Sequence, residues 1–414
     1  MDNKTSYRAE HLKTACIVLL MFTLVGLTAL NFLYDTGGAE GALFRRAQGA
    51  GAEGTPDTAR TARVVFPYAA AVRRGGALTG AAYDAALSDA LYGAYETLLG
   101  TTLASARDAR SVTEREWTDA LGRDGVFFAF GAEIPAWLLA GSLSQTESAA
   151  LSGLSFESLL LQDGGGGLEL IARTPGGVWA FGTPLARGLP EFASELPDAA
   201  FAFELGVPGS PDRLFTGLGS SRPVLEAGDG MAGDAAAVPE LLAALNFNPN
   251  TDRRYTKAGG EQVFVDNTRV IHISPGGLVS YSDSSVLNTD GPRDNGPAAA
   301  LNAALAAIPQ GTAFWGEGRL ALRQFAEING GFEITLSYEL NGALVADSDS
   351  VFTVRGGRLH EARIRLRPLY AADDTRDMLP QRQAAVLLPR GARLAPAYAY
   401  DENEGVYLPY WKHY

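Results

Sequence analysis

An uncharged run near the N-terminus constrains this chain more than any other feature of its sequence. The run extends over 21 residues, from Thr14 to Tyr34, and reads TACIVLLMFTLVGLTALNFLY. At about 1.5 Å per residue, a helix of this length is roughly 31 Å long, which matches the hydrocarbon thickness of a bilayer. Residues 14–34 are therefore predicted to form a single transmembrane helix.

A cleaved secretory signal is the alternative interpretation of this run. The apolar core of such a signal spans about 7–15 residues and ends at a small-residue cleavage site. This run is longer and ends in Asn31-Phe32-Leu33-Tyr34, so an uncleaved membrane anchor is favoured. Lys4, Arg8 and Lys13 precede it, so the positive-inside rule predicts that residues 1–13 are cytoplasmic and the bulk of the chain is extracytoplasmic.

One strip of the predicted span is suited to contact with another membrane helix. Thr23 and Gly26 lie three residues apart, and Leu19 and Leu30 are in line with them. Small and hydroxyl side chains let membrane helices approach closely. Leu19, Thr23, Gly26 and Leu30 are thus a candidate partner face, and the alternative is that they face lipid.

The charge and the cysteine content of the chain exclude two classes of site. The formal net charge is −13 at pH 7, and residues 1–34 contribute a small positive charge to it. The part after the span is therefore acidic, which disfavours binding of nucleic acid or another polyanion. The single cysteine, Cys16, lies inside the span, so no disulfide and no thiolate zinc site is expected outside the membrane.

The remainder of the chain is predicted to be α+β, with two or three extracytoplasmic domains built on antiparallel sheets. Residues 35–62 are rich in Gly, Ala and Thr without a period, which is typical of a flexible stalk. Helical patterns followed by paired strand patterns then recur. They predict a first outer domain at 63–195, a central domain at 196–287 and a C-terminal domain at 297–414, with a linker at 288–297.

Two local patterns give specific helix predictions in the first outer domain. Apolar residues recur at helical spacing from Ala81 to Leu99, and Gly100 is expected to end that helix. The stretch Thr113 to Glu116 reads TERE, which is the pattern of a capping box at the start of a second helix.

The stretch HISPGGLVSY, from His272 to Tyr281, contains one of only four histidines and raises the question of catalysis. Pro275 suits the second position of a type II turn, and Gly276 would supply the positive φ of the third. The stretch therefore predicts a β-hairpin. His272 and Ser274 are two apart on one strand face, and no acid is evidently placed to orient the ring, so neither is assigned a catalytic role.

The sequence singles out no metal, cofactor or catalytic residues. The four histidines have no metal-ligand spacing, and no carboxylate pair can be chosen from the sequence. Arg363, Arg365 and Arg367 alternate with apolar residues, which places three guanidinium groups on one sheet face. This row is either a solvated face or a docking surface for an acidic partner.

Several stretches resemble proteins of the YycH/YycI family of Gram-positive regulators. They are Asn246 to Gly277 (NFNPNTDRRYTKAGGEQVFVDNTRVIHISPGG), Gly331 to Leu366, the closing YLPYWKHY, and Glu116 to Gly131 (EWTDALGRDGVFFAFG). The chain length favours the YycH branch over the shorter YycI branch.

This resemblance implies a single-pass membrane protein whose span and outer domains contact an essential sensor histidine kinase that governs cell-wall metabolism. It also implies that the chain is not an enzyme and needs no cofactor, and it leaves open whether a sister YycI-like protein completes the complex. Two other functions remain open from the residues alone. The chain could be an anchored cell-wall hydrolase or a module that binds a wall ligand.

Overall fold

The structure of the protein, a computed structural model, describes residues 61, 64–164, 166–186, 188–189, 203–205, 214–216, 221–229, 231, 236–247, 253–288, 296–386 and 394–413. The predicted span at 14–34, its candidate face and the predicted stalk up to residue 60 lie outside these residues. Among the helices that are described, none is both long and apolar enough to cross a membrane.

Strands and helices alternate irregularly along the chain. Strands β1 to β22 are, in chain order, Pro67–Arg74, Ala77–Ala82, Arg107–Val112, Gly125–Pro135, Ser155–Asp163, Leu168–Thr174, Gly177–Gly182, Phe203–Leu205, Leu214–Thr216, Ser221–Ala227, Arg254–Thr256, Gln262–Asp266, Arg269–Ile273, Leu278–Asp283, Arg319–Ile328, Gly331–Leu340, Ala343–Val345, Ser350–Arg355, Arg358–Arg365, Leu369–Asp377, Leu394–Asp401 and Val406–His413. Helices α1 to α7 are Ala85–Ser105, Glu114–Leu121, Ala136–Ser142, Ala237–Ala244, Pro297–Ala306, Thr312–Trp315 and Gln381–Val386.

The first sheet is antiparallel and has the order β2-β1-β4-β5-β6-β7-β3. Its strand β4 is apolar on both faces because both faces are covered. Phe128 and Phe130 face the main core, which includes residues of α1, whereas Phe127 packs in a smaller cluster with Trp117 of α2. This double coverage explains why Val126 to Phe130 is a continuous buried apolar run instead of an alternating one.

The helix ends differ from prediction in one case and agree in the other. Helix α1 continues past Gly100 to Ser105, so the prediction that Gly100 ends it is wrong. Gly100 is buried, and a Cβ there would lie 3.1 Å from Cγ of Gln145, so this glycine permits close packing instead of capping. The capping box of α2 is confirmed, because Thr113 and Glu116 satisfy each other's backbone N–H groups.

The second sheet follows the order β11-β12-β13-β14-β19-β18-β16-β17-β21-β22-β10-β20, and β15 pairs with β16. The described pairs are antiparallel apart from β17 with β21. One row of paired positions across six strands is buried and forms the centre of the core: Phe264, Ile271, Tyr281, Ala362, Phe352 and Ile334. Helix α5 contacts β16, β18 and β19.

The predicted α+β class with mainly antiparallel sheets is confirmed for the described residues. The pairing also joins the predicted central and C-terminal parts, because β14 is bonded directly to β19 in one continuous sheet. The two parts therefore share backbone hydrogen bonds and one core.

The hairpin predicted for HISPGGLVSY is confirmed, since β13 and β14 pair across the turn. Its turn type is different from the prediction. The positive φ, +78°, belongs to Gly277 and not to Gly276. The N–H of Gly277 donates to the carbonyl of Ser274 at 3.0 Å, and the carbonyl of Gly277 accepts from Leu366 at 2.8 Å. The residue with positive φ thus comes one position later than a type II turn requires.

Candidate functional site

The first and second sheets belong to one compact unit, Pro56–Tyr414, and a cleft of about 590 Å³ lies between them. The sheets are joined beside the cleft by direct hydrogen bonds. The N–H of Leu322 donates to the carbonyl of Val64 at 2.9 Å, and the hydroxyl of Tyr83 donates to the carbonyl of Leu394 at 2.8 Å.

Two strand irregularities supply residues to the cleft. In β4, the pairing with β5 jumps from Ala129 to Ile134, so four residues, 130–133, face a single residue, Glu157. In β15, the pairing with β16 jumps from Leu322 to Gln324, which leaves Arg323 as an extra residue. Phe130–Glu133, Glu157 and Arg323 all line the cleft. Bulges of this kind re-aim side chains and are common beside binding sites.

The guanidinium of Arg323 lies directly over the backbone of Gly131. A Cβ at position 131 would overlap Nη1 of Arg323, so glycine leaves the space that the guanidinium uses. Glu133 is exposed on the same bulge, and Glu157 is half-buried opposite it. The two bulges therefore place a guanidinium and two carboxylates within one opening.

The floor of the cleft contains a buried carboxylate, Glu339, which is 4% exposed. Its Oε1 accepts from Nη2 and Nε of Arg319 at 3.1 and 3.3 Å, and Nη1 of Arg319 donates to Asp89 at 2.6 Å. The guanidinium of Arg319 also covers the ring of Phe66, 3.5 Å from its centroid. Burial raises the pKa of Glu339, and the Arg319 guanidinium offsets that rise only in part.

Aromatic side chains form another part of the wall. The rings of Tyr68 and Tyr83 are stacked with centroids 5.0 Å apart and an interplanar angle of 18°. Phe325 of β15 packs edge-on against Trp137 of helix α3, with ring centroids 5.4 Å apart. The cleft thus combines flat apolar walls with a few charged groups, as small-molecule and peptide sites do.

The structure brings an acid to His272, contrary to the expectation that none is placed there. Oε1 of Glu261 lies 2.6 Å from Nδ1 of His272, and Nζ of Lys257 lies 3.2 Å from both oxygens of Glu261. Glu261 immediately precedes β12, and His272 lies on β13, the strand that pairs with it. The hydrogen bonds from His272 and Lys257 lower the pKa of Glu261.

Ser274 does not complete a nucleophilic group with His272. Its Oγ accepts from the N–H of Leu278 at 2.9 Å and stabilises the hairpin turn. In the described ranges, no three His, Cys, Asp or Glu residues are grouped so that they could hold a metal ion.

The three arginines predicted to share one sheet face lie on or just after β19. Arg363 is exposed between Ser280 of β14 and Val351 of β18, on the face opposite the buried row. Arg365 is half-buried. Arg367 is held between the rings of Tyr400 and Tyr407, with its guanidinium carbon 4.9 and 5.3 Å from their centroids. Arg363 is therefore the most accessible of the three.

Sequence reasoning did not single out Glu133, Glu157, Arg323 or Glu339. The first three depend on bulges, which appear only when strands are paired. The signal that could have indicated them is Gly131 at the end of an otherwise apolar run, since an isolated glycine within a strand pattern suggests a bulge or a close backbone approach.

Comparisons with known proteins give one kind of match. No family model matches the chain, and no curated protein matches it in sequence. Among solved structures, the crystal structure of YycH from Bacillus subtilis is similar, with a TM-score of 0.56 and 10% sequence identity. The match covers 87% of this chain and 96% of that chain. The chain has a YycH-like fold.

Proposed function

We propose that this chain is a membrane-anchored, non-enzymatic regulator of a sensor histidine kinase that controls cell-wall metabolism. The observation that carries the proposal is the likeness of fold to YycH over 87% of the chain. That likeness is one of fold, at 10% sequence identity.

In this proposal residues 14–34 anchor the chain and residues 1–13 are cytoplasmic, so the folded unit is extracytoplasmic. The span contacts helices of the kinase through Leu19, Thr23, Gly26 and Leu30. The folded unit contacts the kinase, or a sister YycI-like protein, through the surface around Arg363 and Arg365. A partner that binds one kinase state about 1–3 kcal/mol more tightly than the other shifts signalling appreciably.

The test uses the full chain in its native membrane with a photoreactive residue at one position at a time. Probes at Thr23 and Arg363 are expected to capture a membrane histidine kinase or a YycI-like protein, identified by mass spectrometry. A probe at Arg107, which is exposed on the first sheet, serves as the matched control and should capture neither.

A second measurement separates this proposal from an anchored wall hydrolase. Purified full-length protein in detergent is incubated with peptidoglycan, and released fragments are measured. No fragment release is expected. Fragment release, or capture of wall enzymes alone at both probe positions, would overturn the proposal.

A further inference from the structure

We infer that the cleft between the two sheets is a binding site for a positively charged ligand of the size of a short peptide. This goes beyond the proposed regulation, which needs only contact surfaces on the span and on β19. The inference is carried by the volume of the cleft, by the two bulges that build it and by its surplus of carboxylates.

The volume sets the size of the ligand. Ligand sites in proteins are typically about 300–1,000 Å³. The cleft, at about 590 Å³, is large enough for a tripeptide or a small molecule of similar bulk. The stacked pair Tyr68 and Tyr83 gives it a flat apolar wall that a side chain can cover.

The bulges show that the charged groups reach the cleft through specific backbone features. A regular β4 would keep residues 130–133 in register with β5, and a regular β15 would have no extra residue at Arg323. Each irregularity gives up ladder hydrogen bonds. Both open into the same cleft, so one opening receives the side chains of both strands.

The charges set the sign of the ligand. Among the described residues that line the cleft are three carboxylates, Glu133, Glu157 and Glu339, and one guanidinium, that of Arg323. Arg319 forms ion pairs with both Glu339 and Asp89, so its single positive charge does not balance the two carboxylates. The surplus is negative. Apolar walls focus such a field, and the tyrosine rings favour a cation over their faces.

An anionic ligand at Arg323 is the main rival, and the surroundings disfavour it. Burial raises the pKa of Glu339, and Arg323, after Arg319, offsets a small part of that rise, so the charge of Arg323 already interacts with a carboxylate of the protein. A ligand carboxylate would also meet Glu133 and Glu157. A lysine-like ammonium or an arginine-like guanidinium is attracted to the carboxylates of Glu133 and Glu157.

The test is isothermal titration calorimetry on the full chain in detergent micelles. The probe is acetyl-Ala-Lys-Ala-amide, and its matched controls carry an Nε-acetylated lysine or a glutamate in place of lysine. The lysine peptide is expected to bind saturably and at least about tenfold more tightly than either control. No saturable binding of the lysine peptide, or equal binding of the acetylated one, would overturn the inference.

Variants then locate the binding. Glu133→Gln and Glu157→Gln keep side-chain shape and are each expected to weaken binding of the lysine peptide by roughly two- to fivefold. The matched control is Glu327→Gln, which removes an exposed carboxylate outside the cleft on β15, the strand that carries Arg323. This variant should leave binding unchanged. If all three variants bound the lysine peptide with equal affinity, the assignment of the binding site to the cleft would be wrong. Photocapture of the kinase is a separate readout, so failure here leaves the regulatory proposal standing.

Discussion

Arg319 and Glu339 face each other directly across the β15–β16 pair, and two nitrogens of the arginine donate to one oxygen of the buried carboxylate. The third nitrogen reaches Asp89 of α1, so a single guanidinium links the second sheet to the helix that contacts β1 and β2 of the first. The side chains of Arg319 and Glu339 are 27% and 5% exposed. Their pairing is therefore a structural element of the joint beside the cleft.

Removing the arginine is expected to cost more than neutralising the acid. Arg319→Met leaves Glu339 charged and buried without its partner, which should lower the free energy of unfolding by about 3–5 kcal/mol. Glu339→Gln removes the buried charge while Arg319 keeps Asp89, so its cost should be smaller. Urea denaturation of the full-length chain followed by tryptophan fluorescence measures both, and equal costs would contradict this reading of the pair.

The turn after β13 gives a prediction with an adjacent control. Gly277 has φ of +78°, and a Cβ there would overlap the carbonyl oxygen of Leu366. Gly277→Ala should therefore destabilise the protein by about 2 kcal/mol or more. Gly276 has open space around its Cβ position and no positive φ, so Gly276→Ala should change stability by less than about 0.5 kcal/mol. A reversed order would show that the turn is of the type II form.

Asp283 gives a prediction about pH. Burial alone would raise its pKa, but hydrogen bonds from Ser285 and Thr268 to its Oδ1 outweigh that effect and lower the pKa. The folded pKa is thus below the unfolded value of about 3.9. The stabilisation is present above that value and is lost as the pH falls through the folded pKa.

Asp283→Asn should accordingly lower stability at pH 7 by about 1–3 kcal/mol, since it replaces a charged acceptor of three hydrogen bonds. The gap between the variant and the original chain should narrow below about pH 4. Thermal unfolding across pH measures this, with the exposed Asp373→Asn as control. A gap that stays constant with pH would show that the carboxylate charge is not responsible.

The capping box of α2 offers a fourth prediction. Oγ1 of Thr113 accepts from the N–H of Glu116 at 3.2 Å, and Oε2 of Glu116 accepts from the N–H of Thr113 at 2.8 Å. Thr113→Ala should destabilise the protein by about 1 kcal/mol, whereas Thr113→Ser keeps the acceptor and should restore most of that loss. Chemical denaturation distinguishes them, and a serine variant as unstable as the alanine one would argue against the cap.

Local signals in this sequence predicted local structure well. The capping box at Thr113 needs only four consecutive residues, and the strands on either side of Pro275 need only alternation and a turn. Predictions of such features succeed because residues that are adjacent in sequence determine them. The end of α1 was mispredicted because Gly100 packs closely against Gln145 and Leu143, which are distant in sequence, and does not cap the helix.

The cleft could not be predicted from the sequence because it too depends on contacts between residues that are distant along the chain. Arg323 is an extra residue only relative to the register of β16, and residues 130–133 form a bulge only relative to β5. Likewise Glu261 reaches His272 because β12 and β13 pair in one particular register. Each relationship is a property of two strands and not of one.

By itself, the sequence determined the α+β class, the helix cap, the hairpin and the acidic character of the chain, because composition, periodicity and turn chemistry act over a few residues. The tertiary structure alone decided that β14 joins β19, which face holds Arg363, and where the carboxylates meet Arg323. Those outcomes depend on strand register and on the contact between the two sheets, where a shift of one residue would send every side chain to the other face.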